Sequence, residues 1–457
     1  MTTVLGLDLG STTTKAALVD VTDGCHVLRV GRAATPADVP ALHETVARLV
    51  HELVGDAQLA AVGIASMAET GVPLDADGVP LTPLLRWDRT QAHTAYARLR
   101  ERHPELPERT GIPDTPKPAL VRLHILREQT PALFARIRRW QGVADLAAAA
   151  LTGAHATDHT LAARTMLLDP DVPQRRWNTA LLAELGLAPD VMPLVLAPGQ
   201  AAGRTDGALG LPAGVPVYIA GHDHAVGAWA VGARSVGDVA DSLGTAEAVM
   251  AITDRVDAAA VRDGFSIGRT VDDRHATVMG GSAACGGLFA QWPDSPLPVL
   301  AAQGVDTWRT SPVTVLPYPR GRQCPCPDPD ARLRVSGAPA GADDVERGIL
   351  QSLVLHAHWM RTAMQRHAGV TADRIVMLGS LSERIPAWAG LAAAASGTPV
   401  HRCTAAEPVA AGAALLAAVR AGLAADTVAL ESVAITPSRA DGLPAAYDRF
   451  LAAALQP

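Results

Sequence analysis

Short uninterrupted apolar runs alternate with longer stretches of helical spacing along this chain, the pattern of an α/β protein. Residues 3–9 predict a buried strand and residues 14–19 its hairpin partner, joined by the polar link Gly10-Ser11-Thr12-Thr13. Residues 59–65 are another short apolar run, and it ends in the polar cluster 66–70. Segments 40–54, 118–139 and 140–151 carry apolar residues at helical spacing. A passage rich in Pro and Gly, 197–214, leads into a further strand at 215–220.

The pattern then begins again. Residues 238–252 read strand, Gly/Ser/Thr turn, strand, which repeats the logic of the N-terminus although no sequence repeat of 20–50 residues is present. Two such hairpins predict two similar α/β halves facing each other across a cleft, divided as 1–233 and 234–457. Residues 317–334, rich in Pro, Asp and Arg, are expected as a loop. A long helix is expected over 342–369 and a strand over 374–378. Two more helices follow at 385–396 and 406–421, the second stopped by Gly422.

Composition narrows the function classes. The 457 residues suggest two or three domains, and 48% hydrophobic with 19% charged residues supports a large core and excludes global disorder. Thirty-nine basic against 46 acidic side chains give a net charge of -7, with no Lys/Arg block, so nucleic acid is not expected as a partner. The residues after Met1 do not read as a secretory signal, and the alanine-rich stretches carry a charge or fall short of the roughly 20 residues a membrane span needs. Five cysteines, an odd number over a long chain, argue against a disulfide framework and for a reducing cytoplasm.

Three constellations carry candidate chemistry. In Asp8-Leu9-Gly10-Ser11-Thr12-Thr13-Thr14-Lys15 a carboxylate stands at a strand end before a turn of small hydroxyl residues. The N–H groups of such a turn can cradle a phosphate while Asp8 holds hydrated Mg²⁺; an ordinary polar hairpin is the alternative. The second hairpin, 241–245, strengthens the phosphate reading, because two such loops can clamp one nucleotide. Gly221-His222-Asp223-His224 places a carboxylate between a strand and a helix, where it can take a proton from a substrate hydroxyl or simply cap the helix. His222 and His224 are not expected to ligate a metal, since alternate residues in a loop rarely suffice. Glu69, just past a strand end, can bind sugar or polyol hydroxyls or be a solvated turn residue, and Trp87-Asp88-Arg89 can pack on a substrate or pin a loop. Cys324-Pro325-Cys326 has no matching Cys/His pair nearby for zinc, and Cys285 and Cys403 read as packing residues.

In this order the pieces resemble the FGGY carbohydrate kinases, the group of xylulokinase, gluconokinase and glycerol kinase. The resemblance runs through Gly6-Leu7-Asp8-Leu9-Gly10-Ser11-Thr12, Gly63-Ile64-Ala65-Ser66 with Glu69, Trp87-Asp88-Arg89, Leu151-Thr152-Gly153, Asp158 with Ala163-Arg164-Thr165, and Gly221-His222-Asp223. It continues through Ser242-Leu243-Gly244-Thr245, Gly280-Gly281-Ser282, Leu378-Gly379-Ser380, and Glu407 with Ala411-Gly412-Ala413-Ala414. It implies two ribonuclease-H-like, actin-like domains flanking an ATP-binding cleft: sugar and the first phosphate loop in 1–233, nucleotide in 234–457. By that resemblance Asp223 matches the catalytic base, and Asp8 the residue near Mg²⁺ and the transferred phosphate. Ser11, Thr12 and Thr13 match the first phosphate loop, and Gly244 and Thr245 the second. Gly286, Gly287 and Gln291 lie where such kinases contact nucleotide, and Gly379 and Ser380 match the adenosine loop. Glu69, Trp87, Asp223 and His224 are the expected acceptor-binding residues. ATP and Mg²⁺ are the implied cofactors, the implied partner is a small sugar or polyol, and dimers are common among such proteins.

The departures bear on specificity. The adenosine loop is usually a Gly-Gly pair and here reads Gly379-Ser380, so an extra Cβ is expected near the purine. Ala68 replaces the Arg of the Arg-Glu pair of glycerol kinases, which argues against glycerol, and the Met-His of xylulokinases is here Met67-Ala68. His224 stands where Gln often follows the catalytic Asp. A rival with the same first motif is the ATPase activator of acyl-CoA dehydratases. It would need cysteines placed for a bridging iron–sulfur cluster, and the five here show no such arrangement. An actin-like ATPase that works by shape change would need neither a base at Asp223 nor a polar pocket near Glu69.

Overall fold

The computed structural model describes residues 1–89, 93–169, 175–292 and 294–456. The chain divides into two compact units. The first comprises residues 1–232, 268–274 and 405–430, and the second 233–267, 275–404 and 431–457.

The first unit is built on strands β1 (Thr3–Leu9), β2 (Thr13–Asp20), β3 (His26–Ala34), β4 (Leu59–Ser66) and β5 (Pro216–His222), in the order β3-β2-β1-β4-β5 with the two-residue strand Gly203–Arg204 at the edge. β1, β2 and β3 form an antiparallel meander, while β1, β4 and β5 run parallel. β1 is central and buried along its whole length, so it reads as a continuous apolar run rather than an alternating one. β3 lies near the edge with one face half-buried, and its weak alternation leaves no apolar run to find in the sequence. Helix α1 (Val39–Val54) begins at the N-cap Asp38, whose carboxylate accepts from the Ala41 N–H at 2.9 Å, and it lays Leu42, Val46, Leu49 and Leu53 into this unit's core.

The region expected as two adjoining helices is broken differently. Helix α2 (Ala119–Gln129) stops before a one-turn helix at Pro131–Phe134, and residues Arg139–Gly142 form a short strand before helix α3 (Val143–Thr152) begins. Thr130-Pro131 ends the first helix, because the residue before a proline is pushed out of the helical region. Helix α4 (His159–Ala163) and helix α5 (Asp223–Ala230) complete the elements around the site, α5 following β5 without an intervening loop.

The second unit repeats the arrangement. Its strands β6 (Asp238–Leu243), β7 (Glu247–Thr253), β8 (Ser266–Arg269), β9 (Ala276–Ser282), β10 (Arg374–Leu378), β11 (Val400–Cys403) and β12 (Ser432–Ile435) lie in the order β8-β9-β7-β6-β10-β11-β12. Here too a meander (β6, β7, β9) is followed by two strands parallel to the first (β10, β11). Its helices are α6 (Gly286–Gln291), α7 (Asp344–Ala368), α8 (Ser380–Arg384) and α9 (Ala387–Ser396). Both units therefore have the strand order and directions of a ribonuclease-H-like domain, as the family resemblance implies, and the paired hairpins do mark two similar α/β units.

Helix α10 (Pro408–Arg420) lies with the first unit, although the cut at 233/234 puts it in the second half. A Cβ built on Gly6 of β1 would stand 1.9 Å from the Ala410 carbonyl oxygen, and one on Gly63 of β4 1.9 Å from that of Ala413. The helix thus lies against the bare backbone of two strands. Its own alanines let it approach that closely, and no charged residue interrupts its buried run from Ala410 to Ala418. None of the described helices is long and apolar enough to cross a membrane.

Candidate active site

Strand direction gathers the first group of residues. In the parallel ladder Leu9 pairs with Ser66 and Ser66 with His222, so Asp8, Glu69 and Asp223 all leave the sheet at the C-terminal ends of β1, β4 and β5. That edge is where open α/β sheets present their chemistry.

Asp8 is buried, and its Oδ2 accepts from Lys15 Nζ at 3.1 Å while Oδ1 has no hydrogen-bond partner. Burial pushes its carboxyl up to about 6; Lys15 opposes that shift, and the nearby charges of Asp223 and Glu407 add to it. Lys15 also reaches Glu407, the N-cap of α10, at 3.6 Å, and Arg32 pairs with the same carboxylate. Glu407 holds a left-handed backbone at φ 46°. The turn of Ser11, Thr12 and Thr13 is tied to the next segment: the Thr12 carbonyl accepts from the Thr35 N–H at 3.0 Å and the Gly10 carbonyl from Thr35 Oγ1 at 2.7 Å.

Asp223 opens α5. Its Oδ1 accepts from the His224 N–H at 2.7 Å and lies 3.2 Å from His222 Nε2 and 3.9 Å from His224 Nε2. Behind it Gly221 has φ 133°, and the His222 N–H donates to Thr160 Oγ1 at 2.8 Å, which fixes the strand-to-helix corner. Asp158, the N-cap of α4, accepts from Thr160 and is held down at about 2; burial opposes this, and His159 and Arg420 outweigh it. Burial pushes the His222 imidazole down to about 4, so it is neutral near pH 7.

Glu69 is not a solvated turn residue. Its side chain is only 9% exposed, its backbone adopts φ 63°, and it pairs with Arg164. Burial pushes its carboxyl up, but Arg164, Lys117 and His222 outweigh that and hold it below its ordinary value. Trp87 serves the loop reading at least: its N–H donates to Thr70 Oγ1 at 3.2 Å, and Lys117 Nζ lies 4.8 Å over its ring. Asp88 pairs with Arg86, and the side chain of Arg89 lies outside the described residues.

The second unit assembles its own group. Ser242 pairs with Leu378, so the turn Gly244-Thr245 and the loop at Gly379 share one sheet edge. The Gly286 and Gly287 N–H groups at the start of α6 donate to the Gly244 and Thr245 carbonyls at 3.1 and 2.9 Å. Those two amides therefore brace the turn, while Gly244, Thr245 and Gln291 are exposed. Gly379 has φ 102°, and a Cβ there would meet the Leu243 carbonyl oxygen at 2.3 Å, whereas Ser380 is an exposed first residue of α8. Beneath the turn lies a group absent from the sequence reading. Asp241, Glu247 and Arg361 are all buried, with Arg361 Nη1 3.3 Å from Asp241 Oδ2 and both Glu247 carboxyl oxygens unpartnered. Burial and the Asp241 charge push Glu247 well above its ordinary value.

Lys15, Arg164 and Glu407 appear in the sequence motifs, but the sequence assigned them no partners. Lys117 and Glu247 sit in no motif, and only burial beside opposite charge marks them. Among the described residues Cys285, Cys324 and Cys403 are buried and only Cys326 is exposed, an arrangement that offers no cluster ligands.

Two ribonuclease-H-like units, each with a phosphate-sized turn after its first strand, define the two-domain actin-like ATPase fold. The chain belongs to the FGGY family of carbohydrate kinases: the family's N-terminal domain matches residues 3–230 and its C-terminal domain residues 239–421. Membership implies ATP as phosphate donor. The chain is 29% identical to an L-fuculokinase of Salmonella typhi over 274 residues, which span 56% of this chain and 57% of that relative. It is 27% identical to a glycerol kinase of Alkalilimnicola ehrlichii over 463 residues, spanning 93% of this chain and 91% of that one. A xylulose kinase structure from Rhodospirillum rubrum shares the fold with a TM-score of 0.83 at 23% identity, covering 99% of this chain and 98% of the other.

Proposed function

We propose that this protein transfers the γ-phosphoryl group of ATP to a hydroxyl of a small sugar, sugar acid or polyol, with Asp223 as general base. The observation that carries the reading is the meeting of Asp8, Glu69 and Asp223 at the C-terminal edge of one parallel sheet. Asp223 lies close enough to Asp8 for its charge to raise it. Asp223 takes the hydroxyl proton and orients the attacking oxygen. Glu69, paired with Arg164, accepts from other hydroxyls of the acceptor, with Trp87 and His224 as further acceptor-binding residues in this reading.

The chain's residues fit Mg²⁺ and ATP. Asp8, with a buried oxygen that has no partner, would hold Mg²⁺, and the metal would neutralise charge on the phosphates. The Ser11-Thr12-Thr13 and Gly244-Thr245 turns offer N–H groups to phosphate oxygens. Gly286 and Gly287 support the second turn, Gln291 offers an exposed amide, and Gly379-Ser380 forms the adenosine side in this reading. Ser380 is exposed, so its side chain is not enclosed by the protein. The protein is read as cytoplasmic, and the residue pattern supports no membrane or nucleic-acid partner.

The test is Asp223→Ala. Acceptor-dependent ADP release should fall at least about 10²–10⁴-fold, the range of a lost general base. The thermal shift induced by Mg-ATP should stay intact. Full activity in that variant would overturn the assignment. An ATP-coupled screen over pentuloses, hexuloses, 6-deoxyketoses, polyols and aldonates then names the acceptor. Glycerol should be poor, because Ala68 lacks the guanidinium that would grip it.

A further inference from the structure

We propose that His222, Asp223 and His224 form a three-ligand site for a borderline transition-metal dication of the Zn²⁺ type, with its remaining position open to water or ligand. The side chains of three consecutive residues rarely converge. Here they do because the chain passes from extended to helical between His222 and Asp223. Gly221 at φ 133° and the bond from the His222 N–H to Thr160 hold that corner.

The spacing suits a metal. One potential ligand atom from each residue lies within 4.8 Å of the other two. The Asp223 oxygen is 3.2 Å from one imidazole nitrogen and 3.9 Å from the other. Ligands bound at about 2.0–2.1 Å around a tetrahedral ion stand roughly 3.3 Å apart. The imidazole rings meet edge to face with centroids 5.2 Å apart.

The chemistry selects the metal class. Two nitrogens and one oxygen favour Zn²⁺, Co²⁺ or Ni²⁺ over Mg²⁺, which prefers an oxygen octahedron. His222 Nε2 faces the Asp223 oxygen, so it can offer its lone pair once the ring proton sits on Nδ1. The start of α5 and Arg164 disfavour a cation here, whereas the carboxylate of Glu69 acts on His222 in the opposite sense and that of Asp8 lies near Asp223. His222, Asp223 and His224 are progressively more exposed, so an ion can enter from solvent.

A bound dication takes the oxygen lone pair that the kinase reading gives to proton transfer. The site is therefore inhibitory, competing with the acceptor and not with ATP. Only this consequence rests on the kinase reading; the binding does not.

The experiment uses the full chain, stripped with chelator and titrated with Co²⁺ and Zn²⁺ in excess Mg²⁺. Expected are one Co²⁺ per chain with visible d–d bands of a four- or five-coordinate ion, and a Zn²⁺-induced rise in melting temperature. His224→Gln, at the most exposed of the three, should weaken both at least tenfold with circular dichroism unchanged, and His222→Asn should do the same. No d–d bands, binding unchanged in His224→Gln, or a thiolate charge-transfer band that places the ion on cysteine would each overturn the site. If Co²⁺ binds as described but Zn²⁺ leaves ADP release untouched, the metal site stands and the assignment of Asp223 as base falls.

Discussion

At the scale of single residues, the charges near the sheet edge are set by neighbours that lie far apart in sequence. Asp8 is the clearest case. Burial raises its carboxyl and Lys15 opposes that shift, leaving it at about 6. Activity that needs the Asp8 carboxylate should therefore be lost as pH falls through about 6. Lys15→Met removes the opposing charge, so the acidic limb of the pH–rate profile should move upward by about one unit or more, measured as kcat/KM for the acceptor. An unmoved limb would mean that Asp8 need not be ionised. Asp8, Glu69 and Asp223 were legible in the sequence because carboxylates after apolar runs stand out. Their partners were not. Arg164 lies 95 residues from Glu69 and Glu407 lies 392 from Lys15, and no local pattern links them.

At the scale of elements, the strands were read well where they are buried on both faces and badly where they are not. β1 and β4 carry dense apolar runs, whereas β3 was missed because both of its faces are partly exposed and Arg29 and Arg32 interrupt its apolar residues. The segment 118–151 looked continuously helical because apolar spacing does not show where a proline ends a helix or where four residues pair as a strand. The loops, too, are built by steric contact. Gly379 bears a left-handed φ and presses on the Leu243 carbonyl, so Gly379→Ala combines backbone strain with an impossible contact. It should weaken Mg-ATP binding at least tenfold by calorimetry, while Ser380→Gly should change it less than threefold. Equal effects of the two would show that the loop tolerates a Cβ at either position.

At the scale of the whole chain, two copies of one strand order are present without a detectable sequence repeat. Their similarity lies in hydrogen-bond topology, which many sequences satisfy. The chain does not divide once. Residues 405–430 return to the first unit, where α10 lies on Gly6 and Gly63. A fragment ending at residue 233 should therefore lack part of its own core. Expressed alone, residues 1–233 should be insoluble or lose near-ultraviolet dichroism, whereas joining 405–430 to them by a flexible linker should restore a cooperative melt. A stable, cooperatively folding 1–233 would sink this account.

The sequence by itself determined the α/β class, the two hairpin turns, the family and the acidic residues that leave the strand ends, because these follow from local apolar periodicity and short motifs. Only the tertiary structure decided which cation meets which carboxylate, that Thr160 holds the corner where His222, Asp223 and His224 come within 4.8 Å of one another, and that the late helix α10 completes the first unit. Those outcomes depend on contacts between distant segments, where close packing and burial, not local propensity, select the partner.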